Sequence, residues 1–127
     1  MIPAHLDDFW SEPRLATLGT VRPDGSPHLV PVKCVRSGTE FWVLTRPSTV
    51  KARNLAHHPR ASLAEARFKV APGEAQLWAT VEGPAHLDDD PGLLERTRAA
   101  YAERFGGLDT WGTCVLVVEV DRLLHGS

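Results

Sequence analysis

TRPSTVKARNLAHHPRASL, from Thr45 to Leu63, reads as the end of a strand, a short cationic helix and the start of the next strand. Ser48 or Thr49 supplies the N-cap oxygen, the spacing predicts a helix to about His57, and Pro59 stops it. A helix start leaves backbone N–H groups without intrahelical partners, and these carry partial positive charge. Around this start crowd the hydroxyls of Thr45, Ser48 and Thr49 and the cations Arg46, Lys51 and Arg53. An anion, best of all a phosphate, is well placed there. The plainer alternative is a solvated basic helix between two strands. Lys51 and Arg53 lie about 200° apart on a helix, so both cannot reach one anion from the same face.

Upstream, RLATLGTVRPDGSPHLVPVKCVR holds two apolar runs joined by Pro23-Asp24-Gly25. Proline presets one φ and glycine supplies a positive one, so the segment predicts a β-hairpin. A turn at Ser37-Gly38 leads to the strand Glu40–Thr45, and another strand runs from Arg60 to about Arg67. Downstream of Pro72-Gly73, QLWATVEGPAHL alternates as a strand, with Gly83-Pro84 marking a bulge or bend. Asp90 and Pro91 cap and open a helix to about Phe105. Leu93, Leu94, Thr97, Tyr101 and Phe105 form its apolar stripe, while Arg96, Arg98, Glu103 and Arg104 are expected in water. Pro3 to about Glu12 predicts an N-terminal helix burying Leu6, Phe9 and Trp10. The last strand, TCVLVVEV, is almost continuously apolar and is expected to be covered on both faces, by a barrel interior and a partner subunit. Six strands broken by short helices imply a mainly β chain closing as a small barrel and dimerising to complete its core.

The 127 residues make one domain, residues 1–127, with 43% hydrophobic and 24% charged residues. A formal net charge of −2 argues against a nucleic-acid partner, whose binding needs a positive field. No apolar run approaches the roughly 18 residues of a membrane span, and the first ten residues lack a basic-then-apolar signal pattern, so a cytoplasmic protein without a membrane partner is expected. Cys34 and Cys114 sit in apolar runs and read as small buried hydrophobes.

The chain carries no HExxH, CxxC, GxGxxG or GxSxG pattern, and no nucleophile–base pair can be named. His57 and His58 are adjacent, about 100° apart on a helix, and cannot converge on a metal; Asp88, Asp89 and Asp90 read as an acidic helix start. No catalytic residue and no metal site is therefore assigned. If the chain is an enzyme, its reactive atoms belong to a cofactor.

The hairpin GTVRPDGSPHLVPV, the segment TRPSTVKARNLAHHPRASL and the later WATVEGPAHL fall in the order seen in the flavin and deazaflavin split β-barrel family, and the ending VLVVEVDRLLHGS is similar to its last strand. That family includes pyridoxamine-phosphate oxidase-like proteins and reductases using coenzyme F-420. The segments resemble the deazaflavin-using branch more closely, because the longer C-terminal substrate-binding segment of true pyridoxamine-phosphate oxidases has no counterpart after Ser127. The resemblance implies a six-stranded split β-barrel, a homodimer, and a cofactor cleft between subunits. Lys51 resembles the family's phosphate-contacting lysine, with Asn54 near it and Ser48 or Thr49 capping. His28, Leu29, Val30, Pro31 and Val32 resemble the strand whose backbone lies along the tricyclic ring, and Trp78 falls near the ring or the substrate.

The function this implies is an F-420-dependent reductase passing a hydride to a conjugated small-molecule acceptor, such as a tetrapyrrole, quinone or enone. An FMN-dependent oxidase or reductase on the same scaffold is the alternative, and a non-catalytic binder of flavin, deazaflavin or haem is the third reading.

Overall fold

Asp24 builds the first turn with its side chain. Its Oδ1 accepts from the Ser26 N–H at 3.0 Å and the Ser26 hydroxyl at 2.6 Å, and Gly25 takes φ 89°. The turn joins β1 (Ala16–Val21) to β2 (Pro27–Val32) as an antiparallel hairpin in register from Val21↔Pro27 to Ala16↔Val32. The computed structural model describes residues 2–68, 72–73 and 76–127. Along these follow β3 (Val35–Ser37), β4 (Glu40–Thr45), α1 (Val50–Asn54), β5 (Arg60–Arg67), β6 (Leu77–Asp88), α2 (Pro91–Phe105), β7 (Cys114–Glu119) and β8 (Arg122–Gly126).

The strands run β2-β1-β5-β6-β7-β4-β3, with β8 added to β6. The fold is a mainly β split barrel made from one curled antiparallel sheet with short helices. Its seam is β6. The first part of β6 pairs with β5 from Arg67↔Leu77 to Arg60↔Pro84, and with β8 from Trp78↔Gly126 to Glu82↔Arg122. Its last four residues pair with β7, from Ala85↔Val118 to Asp88↔Val115. The change of partner falls at Gly83-Pro84, as a bend there predicts. Gly83 is buried against the end of β7, and a Cβ on it would overlap the Glu119 carbonyl. Pro84 gives up no ladder bond at this point, and the neighbouring Ala85 N–H donates to the Pro59 carbonyl at 2.9 Å.

All six strands expected from the sequence are present, and two more are resolved. The run PHLVPVKCVR divides at Lys33-Cys34 because α2 takes the two carbonyls there: Tyr101 Oη donates to Lys33 O, and Arg104 Nη1 donates to Cys34 O at 2.6 Å. The chain thus leaves one half of the sheet as β2 and enters the other as β3. Strand β8 is the second addition, beginning just after the Asp121 N–H donates to the Glu82 carbonyl at 2.9 Å.

Three expectations are corrected. The N-terminal helix is two 3-10 turns, Ala4–Leu6 and Phe9–Ser11, neither with a side-chain cap, although Leu6, Phe9 and Trp10 are buried as expected. Without a cap a short segment does not offset the cost of nucleating an α-helix. Arg104 is 8% exposed rather than in water. Its Nη2 donates to Glu65 Oε1 at 2.5 Å, its Nη1 to Glu65 Oε2 at 3.2 Å, and Nε and Nη2 both reach the Glu12 carbonyl. A bidentate geometry with the remaining donors satisfied is what makes a buried ion pair tolerable. Finally, β7 is covered on both faces by its own chain. Leu116 and Val118 enter the barrel core, while Val115 and Val117 pack with Leu93 and Tyr101 of α2. The apolarity of TCVLVVEV therefore reports α2 rather than a partner subunit.

Gly83→Ala tests the seam. Forcing a methyl against main chain that cannot move aside should cost on the order of 3 kcal/mol and lower the midpoint of thermal unfolding by roughly 10 °C. Calorimetry measures it directly, and an unchanged midpoint would show that β6 and β7 can separate freely at this point.

Candidate functional site

α1 is shorter than the sequence suggests. Regular helix covers Val50–Asn54, after which Leu55, Ala56 and His57 bond three residues back. Thr49, not Ser48, is the cap: its Oγ1 accepts from the Ala52 N–H at 3.3 Å. That hydroxyl also lies 3.0 Å from Thr45 Oγ1 and donates to the Arg46 carbonyl at 3.0 Å, so Thr45 and Thr49 brace the turn between β4 and α1. Thr45 is fully buried; Ser48 and Arg53 are exposed. Asn54 points inward, and its Nδ2 donates to Thr20 Oγ1 of β1 at 3.0 Å. It fastens the helix to the sheet.

Lys51 faces away from Arg53, as their spacing on the helix requires. It borders a hollow of about 170 Å³ with Pro31, Val32, Leu44, Tyr101 and Trp111. A second hollow of about 360 Å³ shares Lys33, Tyr101, Asp109 and Trp111 with the first and continues along residues 105–108. Together they form a cleft beside β2, the strand that ends the sheet order, in the size range of small-molecule sites.

The strand from His28 to Val32 is divided between two faces. Leu29, 68% exposed, and Pro31 point out, while His28, Val30 and Val32 point toward the interior. Only Pro31 and Val32 reach the cleft wall. Trp78 stands on the outer face of the sheet, its indole against Gly126, apart from both hollows. The structure thus brings Lys51, Pro31 and Val32 together, and leaves Asn54, Arg53, Leu29 and Trp78 outside the group.

Three contributors were not anticipated. Trp111 lies with its ring centroid 5.6 Å from Lys51 Nζ and 5.2 Å from Arg46 Cζ, and its carbonyl accepts from Arg46 Nε at 2.6 Å. Tyr101 accepts from the Leu44 N–H at 2.8 Å while donating to Lys33 O. Lys33 Nζ sits 5.5 Å from the Phe105 ring centroid. An exposed tryptophan in the glycine-rich stretch GGLDTWGT was the available signal for the first; nothing in the local sequence marks the other two.

Burial lowers the Lys51 ammonium below its ordinary pKa. The His28 imidazole is also lowered, first by burial and then by the cations Arg22 and Lys51, and its Nδ1 is shielded with no hydrogen-bond partner. Burial pushes the Tyr101 phenol and the Cys34 thiol well up, with Glu65 adding to the effect at Cys34, and neither serves as a nucleophile. Among the described residues no three His, Cys, Asp or Glu side chains converge as a metal site. A cation without an ion-pair partner among the described residues, set beside apolar walls, suits a flat, anionic organic molecule.

The family profile of pyridoxamine 5'-phosphate oxidase matches residues 2–122. The chain belongs to that family. No curated protein matches it. Solved structures with the same fold include a conserved hypothetical protein, Rv2991, from Mycobacterium tuberculosis: 24% identity, covering 98% of this chain and 84% of that one, TM-score 0.81. A second is an F420 reductase, 19% identical over 97% of this chain and 98% of the other, TM-score 0.74. A third is HutZ, described as a heme storage protein from Vibrio cholerae, 23% identical over 94% and 91%, TM-score 0.72. At these identities the likeness establishes the fold alone. No helix among the described residues is long and apolar enough to cross a membrane.

Two substitutions on one helix separate binding from bracing. Lys51→Ala should weaken binding of a phosphate-bearing flavin about ten- to a hundredfold, the loss of one charge-assisted hydrogen bond, with the fold intact. Asn54→Ala should do the reverse, costing about 1–2 kcal/mol of stability by stranding Thr20 Oγ1 while affinity stays within about threefold. Calorimetric titration and thermal melts on both variants decide it.

Proposed function

We propose that this protein is a coenzyme F-420-dependent oxidoreductase that passes a hydride to a conjugated organic acceptor. The observation that carries the reading is Lys51, a half-buried cation with no ion-pair partner among the described residues, at the mouth of a cleft walled by Pro31, Val32 and Trp111. The cofactor, when bound, supplies the hydride. Lys51 holds its phosphate, Pro31 and Val32 form an apolar wall for its ring, and Tyr101 fixes the backbone at Lys33 and Leu44 so that this wall does not shift. FMN presents the same combination of ring and phosphate and is the alternative cofactor. The neighbour named F420 reductase, matched over nearly the whole of both chains, supports the deazaflavin.

A haem-binding role is the second reading. It is favoured by His28, held neutral and with Nδ1 unpartnered, in a fold shared with a heme storage protein. Buried, unbridged Cys34 and Cys114 suit a reducing compartment, and the cytoplasm is the proposed location.

We further propose a homodimer formed by the outer face of the first half of the sheet. Leu29, Trp78 and Leu124 project there among the small residues Gly19, Ser62 and Ala64, brought side by side by the registers of β1, β5, β6 and β8. Single exposed apolar residues are ordinary, but two leucines and a tryptophan on one sheet face suit a stable interface of roughly 1,200–2,000 Å².

Titrating the purified protein with F-420, FMN and haem tests the function. F-420 should bind most tightly, and its reduced form should lose electrons to one or more of a panel of quinones, enones and biliverdin. Tighter FMN binding with turnover assigns the FMN enzyme instead, and stoichiometric haem binding without hydride transfer assigns storage. Sedimentation at micromolar concentration should give a dimer that Leu29→Lys splits; a folded wild-type monomer would rule the interface out.

A further inference from the structure

The loop between α2 and β7 is tied to the sheet at its β7 end. There the Thr113 N–H donates to the Thr45 carbonyl at 2.8 Å and Arg98 Nη2 donates to the Gly112 carbonyl at 2.9 Å. Gly112 lies so close to β4 that an added Cβ would come within 2.8 Å of Leu44 Cβ. At the other end Gly106 and Gly107 are both exposed with φ of 77° and 76°, a region L side chains rarely adopt, and Leu108 beside them is 77% exposed. Two glycines in succession, with little packed around them, let the segment pivot.

Trp111 is what this segment carries. Its ring takes both Arg46 and Lys51, its carbonyl takes the Nε of Arg46, and neither cation has a carboxylate partner among the described residues. The indole borders the same hollow as Lys51. An anion approaching Lys51 from the cleft meets the indole first. An anion approaching Arg46 finds one donor already used.

We propose that Trp111 competes with the ligand's anionic group for Arg46 and Lys51, and that the indole and the segment back to Gly106-Gly107 shift to release them while Gly112 and Thr113 stay in place. This rests on the reading that the cleft takes a phosphate-bearing ring. Trp111 is then a gate that sets both affinity and selectivity. A ligand must carry enough negative charge to replace two cation–π contacts and a hydrogen bond, so uncharged aromatic molecules are refused. The apparent affinity is the intrinsic affinity scaled by the fraction of molecules with the loop released.

The test uses FMN and inorganic pyrophosphate as probes, the second carrying the anion without the ring. Trp111→Leu should bind both about five- to thirtyfold more tightly than wild type, the equivalent of two exposed cation–π contacts removed from the competing state. Trp111→Phe should fall between, and it serves as the second variant should Leu disturb the loop. Hydrogen exchange of the segment 106–111 in wild type should quicken when either probe binds. Weaker or unchanged binding by both variants, or slowed exchange on binding, overturns the competition and makes Trp111 a fixed wall. Failure of both probes to bind any of the three proteins overturns the reading of the cleft, and the competition with it.

Discussion

A strand that must serve two halves of a sheet needs one residue without a side chain and one without an amide hydrogen at the place where it changes partner. Gly83 and Pro84 are those residues. Gly83 allows the end of β7 to lie directly against β6, its Cα close under the Glu119 carbonyl, and Pro84 withholds a donor where the ladder to β5 ends and that to β7 begins. The bend brings β7 and β4 around to face β1 and β2, and that curvature leaves β2 at one margin of the barrel with α1 and the α2–β7 loop alongside it. The cleft is therefore a product of the seam, although none of its lining residues touches Gly83.

The other half of the design is α2. It covers Val115 and Val117, which makes the most apolar strand of the chain a wholly internal one. It is also the element that ends β2. Tyr101 and Arg104, three residues apart and so on one face of the helix, each take a carbonyl at Lys33-Cys34. Arg104 enters the interior only because Glu65 of β5 meets it with both carboxylate oxygens. Removing Glu65 would leave the Arg104 charge buried without its carboxylate, a loss larger than the pair itself contributes, whereas Glu65 would still meet Arg14 at 3.1 Å if Arg104 were removed. The position where the cleft wall stops is thus set from α2, whose Tyr101 also lines the cleft.

What was legible in the sequence follows this division. Local chemistry was plain: Asp24-Gly25 as a turn, Asp90-Pro91 as a helix start, Pro59 as a stop and Gly83-Pro84 as a bend each act through their own backbone or nearest neighbours. Six strands and the family followed from their order. Arg104 was misread because helical spacing reports which residues share a face, not that a glutamate 39 positions earlier waits opposite. The cover on β7 was misread for a related reason, since apolarity on two faces shows that something lies on each but not what. At the site, the cationic helix was evident and Lys51 was separated from Arg53 by helix geometry alone. The inward turn of Asn54 depended on Thr20, a partner 34 residues away, and the role of Trp111 depended on a loop whose path no local rule determines.

These long-range pairings also bear on what kind of protein this is. The phenol, thiol and imidazole nearest the interior are held in their neutral forms. Tyr101 is locked between a donor and an acceptor and kept protonated by burial, Cys34 is pushed far from its thiolate, and His28 is kept neutral by burial and two cations. Lys51 and Arg46 have no carboxylate partner among the described residues, and both lie against the Trp111 indole. A surface of that kind confers orientation and selection on a molecule that brings its own reactivity. An anionic group binding beside Lys51 would offset only the Lys51 share of what lowers His28, the smallest of its three causes after burial and Arg22, so occupancy of the cleft should raise that imidazole's pKa slightly.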